Sequence, residues 1–190
     1  MKSRLLILVS GSVLAISACN KHDGAATNAT DTNMAMDNMI EPNAAAEAGP
    51  MTAQGFANAA AASDKFEIES SKLAAGSAKS AAVKSFAAKM ISAHAASTAK
   101  LKSTAAGMSP AVTPDDTLSA EQQATLDGLK GKTGADFDTA YAAAQVDAHQ
   151  KTLDALKGYS AGGDNATLKT FADGLIPTVT AHLNMAKGLR

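Results

Sequence analysis

Three of the chain's four histidines recur in one setting. His94 ends "MISAH", His149 ends "QVDAH" and His182 ends "PTVTAH". Each stands three residues after an aliphatic residue: Ile91, Val146 and Val179. At helical spacing each histidine therefore shares a face with the apolar stripe and points inward. Glu67 borders the apolar side of an earlier helical segment, while Glu69 lies nearer its opposite edge. One carboxylate and three imidazoles converging from four helices would suit a single transition metal, Zn, Cu or Fe. The same pattern also fits neutral histidines hydrogen-bonded to each other, to Glu67 or Glu69, or to buried water. A second ligand type sits upstream in "MAMDNM", where Met34, Met36 and Met39 follow His22. Thioethers are soft ligands and suit Cu(I); low-complexity linker composition gives the same string.

Other chemistries lack their residues. A di-iron bundle site needs Glu-x-x-His on two helices plus a glutamate from each of the other two. No Glu-x-x-His occurs in this sequence. The serines form no G-x-S-x-G elbow, and there is no glycine-rich phosphate loop. With 17 basic and 18 acidic residues, the chain has no basic footprint for nucleic acid. No catalytic residue is expected.

The elements that must position the histidines follow from period and punctuation. Thr52 is set to cap a helix that runs to about Ser77, with Phe56, Ala59, Ala62, Phe66, Ser70 and Leu73 inward. A second helix from about Ser80 to Ala106 carries Val83, Phe86, Met90, His94 and Leu101, and Gly107 stops it. Ser119 caps a short helix broken by the glycines at 128, 131 and 134. A third long helix spans about 136–159, with Asp136 and Asp138 at its start in structural roles. Asp164 is expected to cap the fourth, which runs to about Leu189 and should kink at Pro177. Helices of about 25 residues are about 35–40 Å long. The short links at 78–80 and 160–163 make two antiparallel hairpins, and the long link at 107–135 can run the length of a bundle. The expected fold is therefore all-α: a ferritin-like antiparallel four-helix bundle with a long crossover containing a short extra helix.

The N-terminus reads as an address. "MKSR" is a positive n-region and "LLILVSGSVLAIS" an apolar stretch of secretory-signal length. It leads into "ISAC", which resembles the bacterial lipobox, with the chain's single cysteine, Cys19, at the position that is lipidated. That resemblance implies cleavage after residue 18 and acyl chains on Cys19, enough for stable anchoring. Asn20 leans toward the outer membrane over inner-membrane retention. Loss of Lys2 and Arg4 leaves 15 basic and 18 acidic residues, a formal charge of −3. Residues 19–50 read as the lipidated cysteine and a disordered tether, rich in Asn, Ala, Asp and Thr. Residues 51–190 form the bundle domain. A soluble periplasmic or secreted protein is the alternative.

The stretches "FEIESSKLAAGSAKSAAVKSFAAKMISAH", "FDTAYAAAQVDAHQKTLDAL" and "LKTFADGLIPTVTAHLNMAKGL" cover most of 56–190 and resemble the bacterial domain of unknown function 4142 family. The resemblance implies a ferritin-like fold and an outer-membrane or periplasmic protein, often with a signal or lipobox; it implies no established chemistry. Family members often carry an acidic residue just before the first two helix histidines, where this chain has Ala93 and Ala148. The reading taken first is a lipid-anchored periplasmic bundle of non-enzymatic binding or envelope-stress role, with a periplasmic protein partner. The alternative is a metal-binding or metal-buffering protein using Glu67, His94, His149 and His182.

Overall fold

The computed structural model describes residues 51–189. Cys19, Met34, Met36 and Met39 lie outside them. Among the described residues there are five helices: α1 (Ala53–Ser77), α2 (Ala81–Ala106), α3 (Ala120–Lys130), α4 (Gly134–Gly162) and α5 (Ala166–Lys187). None is long and apolar enough to cross a membrane. The four long helices form a bundle in which α1 packs on α2 and α4, and α5 packs on α4 and α2.

Local chemistry sets the helix ends. Thr52 and Ser80 accept from the backbone N–H of Gly55 and Val83, as N-caps should. Ser119 and Gln122 form a reciprocal capping box at α3. Two expectations need correction. The cap of α5 is Asn165, whose side chain accepts from Thr167 and Leu168 N–H; Asp164 instead accepts from the Tyr159 hydroxyl at 3.0 Å. The third long helix starts at Gly134, two residues early, and ends at Gly162. Gly134 has φ +64°, a left-handed conformation that glycine tolerates, so here it leads into a helix where the sequence suggested a stop. Pro177 stands inside α5, which continues on both sides of it.

The crossover is traceable bond by bond along α1. Gln54 donates to the Thr113 carbonyl at 2.7 Å, and Asn58 accepts from Asp115 N–H at 3.0 Å. Lys65 pairs with Asp116 at 2.9 Å, and the Gln122 amide reaches the Ala62 carbonyl at 3.4 Å. At the far end the Asp138 carboxylate accepts from Lys79 and Ser80 N–H, tying the start of α4 to the turn before α2. The link thus starts beside the beginning of α1 and finishes beside its end. Helix α4 then runs antiparallel to α1, and α5 antiparallel to α2, as the long link predicted. Leu126 and Leu129 of α3 are buried.

The core falls into two apolar halves. One contains Phe56 stacked on Tyr159 at 4.1 Å, with Phe171, Leu101, Leu153 and Leu168. The other contains Phe137 stacked on Tyr141 at 5.6 Å, with Val83, Phe86, Met90 and Leu129. Ala59, expected inward, is exposed; the buried face of α1 takes Ala57 and Ala61 in its place and keeps Ala62 as expected. Between the halves lies a layer of buried polar residues: Asp64, Glu67, Ser70, Ser71, His94, Gln145, His149 and His182.

Candidate metal centre

The polar layer brings the three histidines together. The ring centroids are 5.6 Å apart for His94–His149, 5.7 Å for His94–His182 and 5.5 Å for His149–His182, a near-equilateral triangle. One nitrogen from each ring lies within 4.8 Å of the others. The exposures are 5, 1 and 9 %, so the triangle is almost dry.

Hydrogen bonds set which nitrogens are available. His94 Nδ1 is 2.7 Å from Asp64 Oδ1. The other oxygen of that carboxylate accepts from the Thr98 hydroxyl at 3.1 Å. His149 Nδ1 donates to the Gln145 carbonyl one turn back, at 2.8 Å. Both partners are acceptors, so each ring, when neutral, carries its proton on Nδ1 and keeps a lone pair on Nε2. His94 Nε2, His149 Nε2 and His182 Nδ1 are buried with no hydrogen-bond partner. Orienting a ring through one nitrogen while the other stays free is the usual arrangement around a metal.

The electrostatics keep two of the rings neutral. Burial, joined by the nearby charge of His94, pulls His149 and His182 down to about 4. Burial also opposes the charged form of His94, but the Asp64 hydrogen bond and the charges of Glu67 and Asp64 outweigh it and raise its pKa. Burial pushes Glu67 up to about 7, partly countered by His94.

Of the four residues the sequence proposed, three form the triangle. Glu67 stands behind His149, with Oε1 3.5 Å from Nδ1, outside the set of converging nitrogens. Glu69 pairs with Lys72 at the surface. The residue that sequence reasoning missed is Asp64. It supplies from the neighbouring helix the carboxylate–histidine contact that the Ala93 position lacks. A signal for it exists: Asp64 and His94 are equally far from Lys79 in the hairpin turn, and residues symmetric about such a turn face each other.

The donor set fits a transition metal. A metal centred in a triangle of side 4.8 Å would be at most about 2.8 Å from each nitrogen, against a usual distance of about 2.0–2.1 Å. Each ring would have to close by less than about 1 Å, within reach of small side-chain adjustments. Asp64 when ionised offsets part of the charge of a divalent ion, which keeps a net positive charge on three neutral imidazoles.

An antiparallel bundle with an interior cluster of histidines defines a helical class in which binding sites are built from side chains on facing helices. Within that class, the chain belongs to the family described as domain of unknown function (DUF4142), whose model matches residues 38–189. No curated protein matches its sequence. Among solved structures it is similar to "CopM in the Cu(II)-bound form", with TM-score 0.60 and 15 % identity over 72 % of this chain and 94 % of that one. At that identity the likeness is one of fold.

Proposed function

We propose that this chain is a non-enzymatic metal-binding protein of the cell envelope, holding one Cu(II) or Zn(II) through His94, His149 and His182. The observation that carries it is that the three histidines bring a ring nitrogen each to within 4.8 Å of one another inside the bundle, and that each also has a buried ring nitrogen without a partner. A buried polar atom without a partner costs about 1–3 kcal/mol, so three together in one place call for a ligand. A metal ion accepts all three lone pairs at once. The order of divalent affinities puts copper ahead of zinc for such a site. A copper-bound protein of similar fold supports the choice. Three protein ligands leave a position open, which favours exchange over permanent structural storage. Lipidation of Cys19 would hold the domain at the outer membrane facing the periplasm, and the methionines at 34, 36 and 39 would offer Cu(I) a softer site on the tether.

The test is a metal titration of the full-length chain, purified in mild detergent without a histidine tag, using Cu(II), Zn(II) and Fe(II). One equivalent of copper or zinc should bind and be lost in His94→Ala/His149→Ala, with helicity by circular dichroism as the folding control. Equal binding by the folded variant would return the histidines to the role of core residues.

A further inference from the structure

A pocket of about 220 Å³ opens beside the histidine triangle, walled by residues of α1, α2, α4 and α5. His94 and His182 form part of its wall and His149 does not. It therefore reaches the metal position from one side. Most of the remaining wall is small or aliphatic, including Ala93, Ala96 and Leu175. Lys100 also lines it, six residues beyond His94 on α2 and so about 9 Å further along the helix. Asp64 shares the wall, but its two oxygens already engage His94 and Thr98. The volume is below the range of about 300–1,000 Å³ that serves drug-sized ligands, so the pocket suits a molecule of a few heavy atoms.

These features converge. Three imidazoles leave a coordination position open. The pocket gives that position an approach from solvent. A neutral ligand set leaves the metal a net cation, and Lys100 adds a positive charge that draws anions inward. We infer that the pocket admits a small monoanion whose donor atom completes the coordination of the metal and whose short apolar body rests against Ala93, Ala96 and Leu175. This inference rests on the metal-binding reading.

Azide is the first probe, because it gives a charge-transfer absorption when it binds Cu(II). The full-length chain is loaded with one equivalent of Cu(II), after the copper titration itself has been completed. Azide should then give a saturable band, and butyrate should displace it. Ala96 is exposed on α2, so Ala96→Leu should fold and keep its copper affinity while filling the pocket. Azide should bind this variant about tenfold more weakly, the effect of crowding a packed site. Lys100→Gln should weaken azide about threefold, a surface-charge effect. Copper binding without a saturable azide band overturns the inference and leaves the metal site standing. Equal azide affinity in Ala96→Leu also overturns it, because the anion would then arrive by another route. Failure of copper to bind at the first stage sinks the metal reading, and this inference with it.

Discussion

Replacing Glu67 by glutamine should stabilise the metal-free protein at pH 8 and barely change it near pH 4.5. Glu67 is 1 % exposed, and neither carboxylate oxygen has a hydrogen-bond partner. Burial raises its pKa from 4.5 to about 7. A carboxyl whose folded pKa is raised is bound to its proton more tightly in the fold, so its favourable contribution is complete below pH 4.5 and is lost as the pH rises toward 7. A gap of about 2.5 units corresponds to about 3 kcal/mol, most of it already lost at pH 8. Glutamine is nearly isosteric and cannot ionise, so Glu67→Gln escapes that loss. The assay is urea unfolding of both proteins at pH 4.5 and pH 8 with a chelator present. Comparing the difference between the two proteins at each pH cancels much of the histidine titration they share. The variant should gain about 3 kcal/mol at pH 8, on the order of 10 °C in melting temperature. A difference between the proteins that is the same at both pH values would show that Glu67 ionises at its ordinary pKa, and the account of a dry polar layer would fail.

Wild-type stability without metal should peak near pH 6.5: the depressed His149 and His182 make it rise with pH from about 4, against the single opposing carboxyl of Glu67. Above 6.5, Glu67 and His94, both raised, make it fall, and thermal melts across pH 4–8 would reveal a monotonic profile if this is wrong. Asp64→Asn should weaken metal binding by about 10–100-fold while leaving the three ligands in place, because it loosens the ring that Asp64 holds; an unchanged affinity by calorimetry would remove Asp64 from the site. Saturating the wild type with metal at about 100 times its dissociation constant should add about 2.7 kcal/mol of stability, an increment that His149→Ala should lose. Cys19→Ser should abolish incorporation of labelled palmitate into the chain expressed in a bacterial host, and retained label would refute lipidation there.

The helices were legible because their signals are local. Thr52, Ser80 and Ser119 each accept a first-turn N–H, as their residue types suggest. Where two good caps adjoin, composition cannot choose: Asp164 and Asn165 are both favoured types, and only the backbone path into α5 selects Asn165. The inward faces of His94, His149 and His182 followed from period alone; their meeting in one triangle is set by the level at which the bundle holds α2, α4 and α5. Glu67 was placed in the right layer but not at the triangle, because periodicity gives the face of a helix and not the reach of a side chain across it. Asp64 was hidden for another reason. It sits in "SDK" between two surface-type residues, and only its symmetry with His94 about the hairpin turn reveals the contact. The pocket beside the metal position is unreadable in one dimension, since it is the space left where small side chains from four helices meet.

The polar layer between the two apolar halves has a consequence for alignment. In a bundle with a uniformly greasy interior, a helix can slide by one turn and exchange one aliphatic contact for another at little cost, so competing registers must be excluded by something else. Here a one-turn slip of α5 would carry His182 out of the layer and into hydrocarbon, toward a level now occupied by Val179 or Ala186. The same slip on α2 would strip His94 from Asp64 and bury an unpaired carboxylate, which is costly. Each long helix contributes a polar group to the layer, so all four are pinned at one height. An ion that required all three imidazoles would bind only the chain threaded in that register, and its binding energy would be added to the native alignment alone.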